Sequence, residues 1–201
     1  MKKIAIVLFD EAEVLDFAGP FEIFSVTGRR KIGKPFEVFT VAEKETIRAR
    51  NNLIITPTYT FDSAPVTEIF LVPGGGGYYA DGTPFGSRRE MDNAVMINWV
   101  KNQHAKSELT LSVCTGALIL AKAGLLNNLQ ATTHFMAIDT LKEISPTTNV
   151  LANQRYVENG KIISSAGVSA GIDMALYVVG KLQGAEVALE AARYMQYDYW
   201  K

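Results

Sequence analysis

The 201-residue chain has one cysteine, two histidines and little excess of either charge. A lone Cys114 has no intrachain partner, so a disulfide-stapled fold is excluded, and the thiol fits a reducing compartment in which it is free for chemistry. His104, His134 and Cys114 stand at no metal-ligating spacing, which argues against a zinc site. Lys and Arg number 20 against 21 Asp and Glu, a net charge of −1, and no window gathers the basic cluster that a phosphate backbone requires. Nucleic acid is therefore not an expected partner. Lys2 and Lys3 before the apolar residues 4–9 imitate a signal peptide, but that run stops at Asp10, short of the ~7–15 residues needed. The apolar stretch 116–126 is broken by Lys122 and falls below the ~20 residues of a membrane-spanning helix. A cytoplasmic protein without membrane contact is expected. Only 7 Pro, no Pro/Gly/Ser-rich linker, no repeat and 48% hydrophobic residues describe one globular domain over 1–201.

What is present is an alternation of apolar strands and amphipathic helices. Residues 3–9 form a nearly continuous apolar run, as in a strand buried on both faces of a parallel sheet. Pro20 is placed in the first turn of the helix that follows. Residues 36–41 read as the next strand, and 47–50 with 53–55 as a small hairpin turned at Asn51-Asn52. Residues 69–72 form a strand running into the glycines 74–77. A helix over 91–104 carries Val95, Trp99 and Val100 on one face, and His104 is placed at its solvent-exposed end. Residues 109–113 form a strand ending on Cys114, followed by a helix over 115–123 stopped by Gly124. Further helices are expected over 135–144, 169–182 and 185–195, and short strands at 150–151, 155–158 and 161–164, the last two hinged at Asn159-Gly160. Strands alternating with crossover helices make a three-layer α/β sandwich with a mainly parallel sheet, which binds ligands at the carboxyl ends of its strands.

Ser112-Val113-Cys114-Thr115-Gly116 puts a thiol where a strand turns sharply into a helix, with small residues two positions to either side. That is the layout of a nucleophile elbow. The helix N-terminus and its amides favour thiolate, and the Thr115 N–H with a donor from the glycine turn, Gly75, can face a new oxyanion. The alternative is a cysteine acting as a small buried hydrophobe.

Five segments, in this order and spacing, extend the pattern: Leu15-Asp16-Phe17-Ala18-Gly19-Pro20, Val72-Pro73-Gly74-Gly75, the Cys114 elbow, Ala131-Thr132-Thr133-His134, and the run from Ser165 to Asp173. With them the chain resembles the ThiJ/PfpI superfamily, of class I glutamine amidotransferase-like (flavodoxin-like) fold, and is most similar to its isonitrile hydratase branch. The resemblance implies a homodimer acting on a small molecule with no metal and no organic cofactor. It implies Cys114 as nucleophile, Asp16 as its acid/base partner and Gly75 and Thr115 as backbone donors; His134 matches a histidine near the cysteine and is read either as an accessory residue that tunes the thiol or as a hydrogen-bonded structural residue. Asp16 taken alone would read as a helix N-terminal acid. A carboxylate beside a thiolate is a like-charge pair, so the two should share one proton, leaving a protonated acid that donates to the sulfur. Such a pair suits hydration of an isocyanide to an N-formamide through a thioimidate.

Several features point elsewhere. Thr115 follows the cysteine where peptidase-like members have histidine, which disfavours a Cys-His amidase. Gly167-Val168-Ser169-Ala170-Gly171 fits the serine-hydrolase pattern, yet no histidine follows it, so Ser169 reads as a helix N-cap. The glycines 74–77 lack the following Gly-Lys-Ser/Thr of a phosphate-binding loop. Gly76 and the Tyr197-Asp198-Tyr199-Trp200 ending depart from the hydratase branch, and the Tyr194, Tyr197, Tyr199 and Trp200 rings could pack over the pocket, line a dimer contact or fill a gap in the core, the last being the reading for any one ring. Two alternatives stand beside hydration: a glyoxalase or deglycase acting on reactive carbonyls, and a sensor in which Cys114 oxidises to a sulfinate. Relatives that carry an appended helix-turn-helix are longer than this sequence, so a stand-alone domain is expected.

Overall fold

The structure is a computed structural model that describes residues 1–29 and 33–198. The apolar N-terminal run forms β1 (Lys2–Leu8), with residues 4–8 at most 1% exposed. There follow α1 (Val14–Val26), β2 (Phe36–Ala42), the paired β3 (Ile47–Arg48) and β4 (Ile54–Ile55), and β5 (Tyr59–Thr60). The middle of the chain holds β6 (Ile69–Val72), the hairpin of β7 (Gly76–Tyr78) and β8 (Pro84–Gly86), then α2 (Ser87–Glu90) and α3 (Ala94–Lys106). After β9 (Leu109–Val113) come α4 (Gly116–Lys122), β10 (Gln130–Ala131), α5 (Ile138–Ile144) and β11 (Asn149–Val150). The chain closes with β12 (Tyr156–Asn159), β13 (Ile162–Ser165), α6 (Ala170–Gln183) and α7 (Ala185–Tyr194).

Seven strands form the main sheet in the order β12-β13-β9-β6-β1-β2-β5. All neighbours are parallel except β12 and β13. With the short edge strand β5 set aside, the parallel strands lie in the chain order 2-1-3-4-5. The order reverses between β1 and β6, which opens a crevice at their carboxyl ends. Phe70 of β6 is paired with Thr110 of β9 and meets Trp99 of α3 edge-on at 5.9 Å. Val113, of opposite parity on β9, faces Gly171 of α6. Thus α3 and α4 cover one face, while α1, α6 and α7 pack together on the other. This is the three-layer sandwich expected from the alternation.

Four local expectations are corrected. Helix α1 starts at Val14, so Pro20 is its seventh residue and not in its first turn. Without an N–H, Pro20 leaves the Asp16 carbonyl unbonded within the helix, a defect that costs about 3 kcal/mol in isolation; packing on α6 at Gly171 carries the helix through it. The buried stripe of α3 is Met96, Trp99, Val100 and Gln103, and Val95 is 49% exposed. The Asn93 side chain accepts the Val95 N–H at 3.0 Å and sets where that helix begins. His104 is half-buried, with Nδ1 2.8 Å from Thr110 Oγ1, and burial lowers its pKa. Ser169 stands at the N-cap position but in helical conformation with no capping bond; its Oγ lies 3.3 Å from both terminal nitrogens of Arg155, which also donates to Asp173.

Of the aromatic C-terminal group, Tyr194 is exposed and its hydroxyl accepts from Arg29. Tyr197 is half-buried at the edge of the core and donates to Asp173 at 2.8 Å. Tyr199 and Trp200 lie outside the described residues.

Candidate functional site

The site is assembled from loops at the carboxyl ends of β1, β6, β9 and β13. Cys114 is the first residue after β9 and holds a positive φ of 56°, sparsely populated for a residue with a Cβ. Three bonds hold it there. Its N–H lies 3.0 Å from Ala166 O and 3.2 Å from Ser165 O, and its carbonyl accepts the Thr133 hydroxyl at 2.8 Å. Two residues on, a Cβ at Gly116 would lie 2.2 Å from the Val72 carbonyl oxygen, which explains why the elbow needs glycine at that position.

Asp16 lies in the first turn of α1 and is 0% exposed. Its Oδ2 accepts the Gly74 N–H at 2.9 Å, and the carboxyl also shares a hydrogen bond with the Cys114 thiol. Burial pushes Asp16 up to about 7, against the pull of the Gly74 bond, and the charge of Glu13 adds to the rise. Burial, then the adjacent Asp16 charge, push Cys114 up to about 12, with the amides of Thr115 and Val168 pulling the other way. The backbone donors therefore act in the expected sense but are outweighed, the thiol is harder, not easier, to ionise, and the shared proton rests on sulfur with Asp16 accepting it, the reverse of the expected protonated acid. Carboxyl and thiol titrate as a pair that loses one proton near neutrality and keeps the second into alkali.

Thr115 brings its N–H to the sulfur, whereas the Gly75 N–H donates to Thr115 Oγ1 at 3.1 Å. The Gly75 amide is thus occupied, and the second donor facing the thiol is the N–H of Val168. Ser87 Oγ lies 2.7 Å from both Gly75 O and Thr115 Oγ1 and ties α2 into the same cluster. Val168 has a φ of 43°, a genuine outlier for a β-branched residue. Within the Gly167-Val168-Ser169 stretch, the backbone carries the role and the serine does not.

Cys114 opens into a cleft of about 430 Å³ lined also by Arg50, Tyr78, Arg88, His134 and Val168. His134 follows β10 and its Nδ1 accepts the Met136 N–H at 3.3 Å. Burial and the charge of Arg88 both lower its pKa, so its imidazole is neutral at pH 7. A Cβ on Gly167 would fall 2.4 Å from the His134 ring; glycine there lets the ring lie against the loop before α6. Sequence reasoning brought Cys114, Asp16, Thr115 and His134 to one place and missed Arg88 and the Val168 amide. Nothing local to Arg88 marks it, since β8 and α2 carry it to the cleft 26 residues before the elbow. Among the described residues no three His, Cys, Asp or Glu side chains form a metal-ligating group, and no helix is long and apolar enough to cross a membrane.

The model of the DJ-1/PfpI family matches residues 2–181. The isonitrile hydratase of Pseudomonas putida is 30% identical over 187 residues, covering 92% of this chain and 74% of that protein. The HTH-type transcriptional regulator GbdR of Pseudomonas aeruginosa is 23% identical over 98% of this chain, which spans 51% of its length. Among solved structures, a ThiJ/PfpI family protein from Pseudomonas syringae superposes with a TM-score of 0.82 at 28% identity, covering 98% of this chain and 75% of that one. Drosophila melanogaster DJ-1beta superposes with 0.79 at 18% identity, over 98% and 99% of the two chains, and shares the fold. By its strand order, its elbow and these matches, the chain belongs to the DJ-1/PfpI family.

Proposed function

We propose that the protein is a cofactor-independent cysteine enzyme, a lyase that hydrates an isocyanide to an N-formamide. The observation that carries the reading is the Asp16 carboxyl, fully buried beside the Cys114 thiol and pushed up to about 7. A general acid/base works best with a pKa near the operating pH. The similarity to an isonitrile hydratase supports the choice of substrate.

Near pH 7 the pair holds one proton. As Cys114 Sγ bonds to the terminal isocyanide carbon, that proton moves through Asp16 to the same carbon and gives a thioimidate. Water then attacks this carbon, Asp16 taking a proton from the water and passing it to nitrogen. The tetrahedral adduct collapses as its hydroxyl proton goes to Asp16, the C–S bond breaks, the formamide leaves and the pair is restored. The amides of Thr115 and Val168 stabilise charge on sulfur while it attacks and while it leaves. The Gly75 amide, bound to Thr115 Oγ1, holds the loop in place.

The test is formamide production from a simple alkyl isocyanide by wild type and Cys114→Ala, followed by loss of the isocyanide infrared band. Turnover by wild type and none by a folded Cys114→Ala supports the reading. Turnover that survives in Cys114→Ala overturns the mechanism, and none in wild type shifts weight to reactive carbonyls.

A further inference from the structure

Two arginines line the Cys114 cleft, and they differ in what balances their charge. Arg50 donates Nη1 to Glu11 Oε2 at 3.0 Å and lies 5.2 Å over the Phe85 ring. Arg88 has no carboxylate partner among the described residues. Its Nη1 reaches Ser87 Oγ at a long 3.4 Å, and its Nε is buried with no acceptor. The acid nearest in sequence, Glu90, is taken by Arg89 at 2.7 Å. The acid in the cleft wall, Glu13, raises the pKa of Asp16. A half-buried cation left without a counter-ion is unfavourable unless a ligand supplies one, and a guanidinium presents a planar fork that fits a carboxylate bidentately. Arg88 is also well placed. Its neighbour Ser87 bridges Gly75 and Thr115, so α2 is fixed relative to the elbow, and Arg88 interacts electrostatically with the thiolate form of Cys114 and with His134.

Building on the reading of Cys114 as nucleophile, we propose that the cleft takes small electrophiles bearing a carboxylate, which Arg88 binds while the reactive carbon meets Cys114 Sγ. Within the isocyanide reading, the substrate class becomes isocyano carboxylates. Arg88 is then a specificity-determining residue that touches the substrate at the end opposite the chemistry.

A matched pair of alkylating agents tests this without isocyanide chemistry. Iodoacetate and iodoacetamide both form an Sγ–CH2 bond as the C–I bond breaks, releasing iodide and the thiol proton, and differ in a carboxylate against an amide. The readout is the ratio of their rate constants at Cys114, divided by the same ratio for free cysteine at the same pH. A normalised ratio of at least about tenfold in wild type is expected, the scale of one charge-assisted contact. It should fall to near one in Arg88→Gln and lie between in Arg88→Lys, which keeps the charge and loses the fork. A wild-type ratio at or below one overturns the proposal, as does an unchanged ratio in a folded Arg88→Gln. Isocyanoacetate against its methyl ester gives the second arm, with a KM lower for the carboxylate by about tenfold. An Arg88-dependent preference for iodoacetate with neither isocyanide hydrated supports the anion site and refutes the isocyanide reading alone.

Discussion

Replacing Asp16 with asparagine should remove activity and stabilise the fold at neutral and alkaline pH. The carboxyl titrates at 3.8 when exposed and at about 7 in the folded protein. Below pH 3.8 it is protonated in both states and contributes nothing. Between 3.8 and 7 the unfolded chain releases this proton while the native state keeps it, so native stability falls as pH rises. Above 7 the loss is complete. A rise of about three units corresponds to about 4 kcal/mol, an upper figure because Cys114 shares the proton. Asparagine keeps an oxygen for the Gly74 N–H and does not ionise, so its effect on that bond is independent of pH. Urea unfolding of wild type and Asp16→Asn at pH 4, 6 and 8 gives the difference directly. The variant should gain about 2–4 kcal/mol on wild type between pH 4 and 8, most of it before pH 7. Parallel pH profiles for the two proteins would refute the argument, because they would place Asp16 at an ordinary carboxyl pKa in the fold. A gain in stability with loss of turnover is the trade expected of a buried, strained active site.

Two further substitutions probe the backbone around the thiol. Gly116→Ala places a Cβ 2.2 Å from the Val72 carbonyl oxygen and 2.8 Å from that of Pro73, and should destabilise the fold by about 2–3 kcal/mol as the elbow moves; a denaturation midpoint equal to wild type would contradict that close approach. Val168→Gly relieves a β-branched residue held at φ 43°, so it should stay within about 1 kcal/mol of wild type despite the lost side chain. Calorimetric melting measures this, and a loss above about 2 kcal/mol would show that no strain is stored there.

The elbow was legible because its signals are local. A strand of five residues buried along its length runs into Cys114, and small residues stand where the neighbouring backbones come close. The glycines after β6 were legible for the same reason, at the end of an apolar run, whereas Asp16, inside α1, was placed only by the family resemblance. The register of α3 was not, because a shift of one residue turns a helix face by about 100°, and both Val95 and Met96 are apolar. Pro20 misled for a related reason: proline's preference for a first turn is a local rule, and packing between α1 and α6 overrode it. The direction of the Cys114 pKa was also read wrongly from local rules. The helix end and amides do pull it down, but desolvation sums over every group around the sulfur, and that shell is supplied by four separate loops.

The sequence by itself determined the parallel α/β sandwich and the bend that presents Cys114, since periodicity, glycine placement and residue order are carried along the chain; the pairing of Cys114 with Asp16 came only through the family resemblance. Only the tertiary structure decided that Val168, not Gly75, offers the second amide to the sulfur. It alone set Arg88 in the cleft without a carboxylate partner among the described residues, and raised both Asp16 and Cys114. Burial, unmet charge and the direction of a backbone N–H are properties of what surrounds a group in space, and residues far apart in the chain supply those surroundings.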